Sequence, residues 1–131
     1  MGVWIGAKGR LKVVPEPDDN LLIEFWNFNR FSWPDDYKDE KFSNTWFFDE
    51  NNHLACTEGK FAEPIIWLDW MKENFFETRG YELIGEPEYI GEGDYGFDTY
   101  CRKSEEEYRA WKIRVEKLIE DNSTADRYNK F

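Results

Sequence analysis

The chain reads as one α+β domain: a mostly antiparallel sheet of about five strands with three helices, in the order β-α-ββ-α-ββ-α. Three observations predict it. Apolar and polar residues alternate strictly near the start of the chain, as a half-buried strand requires. Apolar residues recur at helical spacing in three later segments. Turn residues separate the remaining apolar runs so closely that hairpins, not long crossovers, must join them. At 131 residues the chain fits one domain, placed at residues 1–121 with a polar tail at 122–131.

Val3 to Val14 is the first expected strand. Val3, Ile5, Ala7, Gly9, Leu11 and Val13 share its core face, and Trp4, Lys8, Arg10 and Lys12 share the other. Pro15 and Pro17 break it. Asp18 or Asp19 then caps a helix carrying Leu21, Leu22, Phe25, Phe28 and Phe31, which Pro34 ends. Residues 34–44 read as a polar loop. Thr45–Asp49 and Leu54–Glu58 read as a hairpin about Asn51-Asn52, residues that tolerate left-handed backbone.

The second helix starts at Pro64, a permitted first-turn proline, and stops at Gly80. Ile66, Trp67, Trp70, Met71 and Phe75 line its apolar stripe. Tyr81–Ile90 reads as a strand that Pro87 confines to an edge or a bulge. Gly91–Asp94 reads as a turn and Gly96–Arg102 as the returning strand. Ser104 and Glu107 have the spacing of a capping box for a third helix through Tyr108, Trp111, Val115, Leu118 and Ile119.

Composition narrows the function. Seven Trp, eleven Phe and seven Tyr require a packed interior. The net charge is −11, and it is concentrated: residues 13–101 carry 21 acids and 6 bases, whereas residues 1–12 carry three bases and no acid. Direct binding to nucleic acid or to anionic membranes is disfavoured, because both depend on Lys and Arg. No apolar run approaches the ~18 residues of a membrane span. The start lacks a basic region followed by an apolar one, so no signal peptide is expected. Two cysteines, Cys56 and Cys101, suit small buried residues in a reducing cytoplasm.

No catalytic, cofactor or metal residue is expected. Gly91-Glu92-Gly93-Asp94-Tyr95-Gly96 matches G-x-G-x-x-G, but a dinucleotide site needs a helix after it. The following residues look like a strand and two acids would repel phosphate, so a hairpin turn is expected. His53 is the single histidine. Cys56, three positions on, falls on the other side of a strand, so no catalytic pair forms. Asp49–His53 lacks the glycine and distal Glu of a calcium loop. Two distant cysteines and one histidine cannot close a zinc site. Asp94 with Asp98 is the pair considered for magnesium, and no further ligand supports it.

The segment Tyr81–Cys101 is the candidate partner surface. It holds Glu82, Glu86, Glu88, Glu92, Asp94 and Asp98 without a single base, interleaved with Tyr89 and Tyr95 among other aromatics. Carboxylates steer a basic partner, and buried rings hold it. Acids two positions apart on an extended strand lie about 6.6 Å apart, comparable to successive phosphates of one nucleic-acid strand. Asp35, Asp36, Asp39 and Glu40 would extend the surface. The bland alternative is a solvated face that keeps the protein soluble.

Two stretches carry a resemblance: Met1–Val13 and Gly80-Tyr81-Glu82-Leu83-Ile84-Gly85-Glu86 with Gly91-Glu92. They are similar to segments of small proteins from phages and mobile elements of Gram-positive bacteria. The resemblance implies an anti-defence setting, of which anti-CRISPR proteins are one kind, and transfers no functional residue. The expected function is a non-catalytic, cytoplasmic, acidic protein-binding module. Its sharpest form is an inhibitor covering a basic nucleic-acid-binding surface of a host protein. An immunity or antitoxin protein against a basic toxin shares the electrostatics. A small enzyme or ligand-binding domain is the third reading, and an apolar pocket with convergent carboxylates would mark it.

Overall fold

The computed structural model describes residues 4–31, 44–60 and 63–129. The class is α+β, and every strand pairing is antiparallel. The elements are β1 (Trp4–Lys8), β2 (Lys12–Val14), α1 (Asp19–Phe31), β3 (Trp46–Phe48), β4 (Leu54–Cys56), β5 (Gly59–Lys60), α2 (Pro64–Met71), β6 (Glu82–Ile84), β7 (Glu88–Gly91) and α3 (Phe97–Asn129). The strands do not form the single sheet expected. They form one three-stranded sheet, β5-β1-β7, and two pairs, β2-β6 and β3-β4.

The division has a local cause. The expected strand over 3–14 breaks at Gly9, whose φ of +100° no side chain adopts easily. Its partner breaks opposite, at Gly85 with φ +139°. The result is one bent antiparallel ribbon. Lys8 pairs with Glu88 before the bend and Lys12 with Ile84 after it. The two breaks interlock: a Cβ on Gly9 would lie 3.3 Å from Pro87 Cα, and one on Gly85 3.1 Å from the Arg10 carbonyl oxygen. Leu11 then exchanges both backbone hydrogen bonds with Leu54 at 2.9 Å, tying the ribbon to the β3-β4 hairpin.

Several sequence signals act as expected. Asp18 Oδ1 accepts the Leu21 amide at 2.8 Å and caps α1. Asn52 turns the β3-β4 hairpin at φ 58°. Asp49 fastens that turn by accepting the amides of Asn51 and His53, each at 2.9 Å. Pro64 opens α2, and Gly80 at φ +81° ends the segment that follows it. Between them the helix widens to a π-helical turn over Lys72–Phe76 and tightens to a 3₁₀ turn over Glu77–Arg79. Neighbouring Phe75 and Phe76 are both buried in the wide turn.

The core is aromatic. Phe25 of α1 meets Phe48 at 5.0 Å, Phe75 at 5.6 Å, Phe76 at 5.9 Å and Trp111 at 6.5 Å between ring centroids. Most of these contacts are edge-to-face, the favoured arrangement of ring quadrupoles. Burying rings of this size stabilises the fold by about 1.5–3 kcal/mol each.

The largest correction concerns Gly96–Arg102. It is not a strand. α3 begins at Phe97, and Ser104 lies inside the helix with its hydroxyl donating to the Cys101 carbonyl at 3.2 Å. Glu107 completes no capping box, because its carboxylate accepts from Arg10 at 2.7 Å. Burial of Phe97 and docking of Tyr100 override the weak helix preference of Thr99, Tyr100 and Cys101. α3 also runs on to Asn129, through the stretch expected as a polar tail. No helix among the described residues is long and apolar enough to cross a membrane.

Candidate functional site

A broad groove of about 1060 Å³ opens where the end of β7, the glycine-rich loop and the first two turns of α3 meet Trp4 of β1. Its lining carries four carboxylates, Glu58, Glu92, Asp94 and Asp98, against one guanidinium, Arg102. Trp4 is 43% exposed at its edge and Tyr95 fully exposed at the loop tip.

The loop is built by its own side chains. β7 ends at Gly91, whose amide donates to Asp94 Oδ2 at 2.8 Å. The Asp94 carbonyl accepts the Phe97 amide at 3.2 Å and so starts α3. Gly93 and Gly96, at φ +91° and +81°, supply the reversals around Tyr95. Glu92 ties the loop to β1: its Oε1 accepts the Trp4 amide at 3.0 Å, and its own amide donates to the Trp4 carbonyl at 3.1 Å. Glu58 is held from the other side, where Oε2 accepts from the Thr57 hydroxyl at 2.9 Å and the Ser104 hydroxyl at 3.3 Å. Asp98 sits in the first turn of α3, where the helix dipole favours an anion.

The sequence expectations divide here. Glu92, Asp94, Tyr95 and Asp98 come together in the groove. Glu82, Glu86 and Glu88 do not join them: they are exposed along the bent ribbon, Glu88 directly across from Lys8. The bend at Gly85 also prevents the evenly spaced row of carboxylates expected of one extended strand. Tyr89 pairs with Ala7 and faces α2 on the opposite side of the sheet, near Glu63 and Asp69. Asp35, Asp36, Asp39, Glu40 and most of the loop expected over 34–44 lie outside the described residues. Glu58 was not expected, because only the tertiary fold brings it beside 92–98, and Arg102 was missed because it lies one helical turn after Asp98 in a segment expected as a strand. Trp4 had one legible sign, a large aromatic on the otherwise polar face of its strand.

The glycine motif proves to have the strand–loop–helix order that the sequence argued against. It still lacks the dinucleotide architecture. β7 is antiparallel to β1, and no parallel strand returns after α3 among the described residues. The Gly91 amide is held by Asp94, and three carboxylates surround the helix start.

The two thiols are not poised as nucleophiles. Burial pushes Cys56 up to about 12, with Thr45 Oγ1 at 3.1 Å from its sulfur. Burial, then the negative charges of Glu58 and Asp98, pushes Cys101 up to about 11. Both are neutral thiols near pH 7, whereas the thiolate is the reactive form. His53 acts through its backbone, closing the hairpin with Asp49. Among the described residues no group of three or more His, Cys, Asp or Glu is placed to hold a metal ion. Compared with protein-family models, curated proteins and solved structures, the chain matches none.

Proposed function

We propose that the protein is a non-catalytic, acidic protein-binding module that takes a basic partner at the groove around 91–98. The observation that carries this reading is the meeting of Glu58, Glu92, Asp94 and Asp98 with exposed Trp4 and Tyr95 on one concave surface. Charge brings the partner, and ring burial holds it. A surface that accepts cations in this way suits an inhibitor that covers the nucleic-acid-binding face of a cytoplasmic host protein. The anti-defence setting implied by the resemblance agrees with that role.

The test is capture of partners from the native host on immobilised protein, read by mass spectrometry. The wild type is compared with a variant carrying Glu86→Lys, Glu88→Lys, Glu92→Lys and Asp94→Lys. We expect a basic protein that is retained by the wild type and lost from the folded variant or at raised salt. Retention unchanged by either treatment rejects the reading.

A further inference from the structure

We infer that a second cavity, between α1 and α3, binds a small zwitterion of the amino-acid class, with its carboxylate on the indole N–H of Trp111 and its ammonium toward Glu116. The cavity shares no lining residue with the groove around 91–98 and is a separate site.

Trp111 is 2% exposed, and its Nε1–H has no hydrogen-bond acceptor. Buried donors of this kind are nearly always paired. The ring's own neighbours cannot serve. Phe48, Trp26 and Phe25 stand at 5.6, 6.4 and 6.5 Å between centroids, and the Arg114 guanidinium lies 5.4 Å from the indole. Those side chains carry no oxygen. Trp111 also lines a cavity of about 340 Å³. An acceptor placed there completes the indole. The volume is at the lower end of ordinary ligand sites, about 300–1,000 Å³, and suits a small molecule.

The two helices place the other groups. Tyr108, Lys112 and Glu116 recur every four residues along α3, so they share one face beside Trp111. Trp26 and Asn29 come from α1. Asn29 Oδ1 accepts from Asn44 Nδ2 at 2.7 Å, and Asn44 Oδ1 accepts the Trp46 amide at 3.0 Å. That amide wall is therefore fixed before a ligand arrives, which lowers the entropy cost of binding. Lys112 and Glu116 form no ion pair among the described residues. The lining is thus balanced, one ammonium and one carboxylate, and the balance selects the ligand. An anion alone would face Glu116. A cation alone would face Lys112 and leave the indole without its acceptor. A zwitterion answers all three groups: its carboxylate takes the Trp111 N–H and Lys112, and its ammonium takes Glu116. A water molecule would serve the indole and make no use of the charge pair.

The experiment is proton–nitrogen correlation spectroscopy of the full chain, in which the Trp111 indole signal is assigned by its loss in Trp111→Phe. Glycine, L-glutamine and L-leucine are titrated in turn to about 10 mM, which fills even a weak millimolar site. We expect at least one of them to shift the Trp111 indole signal saturably. N-acetylation of that ligand removes its ammonium and amidation removes its carboxylate, and each should weaken binding at least fivefold. Lys112→Gln and Glu116→Gln should do the same. Glu106→Gln, outside the cavity on α3, should change binding less than twofold. Circular dichroism confirms that each variant is folded. A Trp111 signal that none of the three moves marks a cavity for water alone and overturns the zwitterion site. Equal binding of the N-acetylated ligand, or unchanged binding in Glu116→Gln, overturns it as well.

Discussion

The hydroxyl of Tyr100 lies 2.7 Å from the carbonyl oxygen of Ala7 and also reaches the carbonyl of Cys56. One phenolic proton thereby joins α3 to β1 and β4. The ring lies so close to β1 that a Cβ on Gly6 would come within 2.8 Å of it. This contact docks the start of α3 against β1 and β4. Tyr100→Phe keeps the packing and removes the proton, and it should lower stability by about 1–3 kcal/mol. Gly6→Ala should cost at least as much, because ring and strand must separate. Urea unfolding of both variants checks the order.

Asp49 is buried, and its two oxygens serve Arg10 at 2.5 Å and two backbone amides of its own hairpin. Asp49→Ala should therefore be severe, about 3 kcal/mol or more. Asp49→Asn keeps an acceptor for the amides and should cost less. Glu107→Ala removes the outer, more solvated partner of Arg10 and should cost about 1 kcal/mol or less. Chemical denaturation of the three variants tests this ranking, and a Glu107 effect equal to that of Asp49 would refute it.

The thiols predict a pH dependence. A group whose pKa is raised on folding adds stability below its unfolded value and loses it as pH climbs toward the folded one. Cys101 rises from 9.0 to about 11 and Cys56 from 9.0 to about 12. The denaturation midpoint should hold between pH 7 and 8 and fall between pH 9 and 11. Replacing both cysteines with alanine should flatten that fall while lowering stability at neutral pH. In the native protein, iodoacetamide at pH 8 should label Cys101 about tenfold more slowly than a free thiol, because its lower thiolate fraction outweighs the greater nucleophilicity of a more basic thiolate.

Two of the positive-φ glycines, Gly80 and Gly85, separate strain from collision. A Cβ on Gly80 meets nothing within 4 Å, so Gly80→Ala carries backbone strain alone, about 1 kcal/mol. A Cβ on Gly85 meets the Arg10 carbonyl and Leu11 at the ribbon bend. Gly85→Ala should cost clearly more and loosen the β2-β6 pair. Thermal melts, with amide exchange at Leu83, distinguish the two.

The legible parts of the fold were those written in local chemistry. Asp18, Asn52, Pro64 and Gly80 each act within a few residues of themselves, and each does what its type implies. The unreadable parts depend on distant partners. Residues 96–102 read as a strand, yet Phe97 finds the core and Tyr100 finds Ala7, so they coil. Gly9 looks like one more small core residue until Pro87 and Glu86 close around it. At the site, the run of acids was visible, but which of them converge was decided by two glycine bends. Glu58 and Trp4, far from that run in sequence, needed the folded chain to join it.

Trp4 and Glu92 are 88 residues apart and hold each other by backbone and side chain. On a ribosome adding about 5–20 residues per second, β1 waits about 4–18 s for β7 to emerge. Until then one edge of β1 has no strand to pair with, and the groove has neither loop nor helix. The surface proposed to meet a partner is thus among the last to be completed during synthesis. A nascent chain stalled before Gly91 should bind chaperones that recognise open strand edges and should not bind the partner.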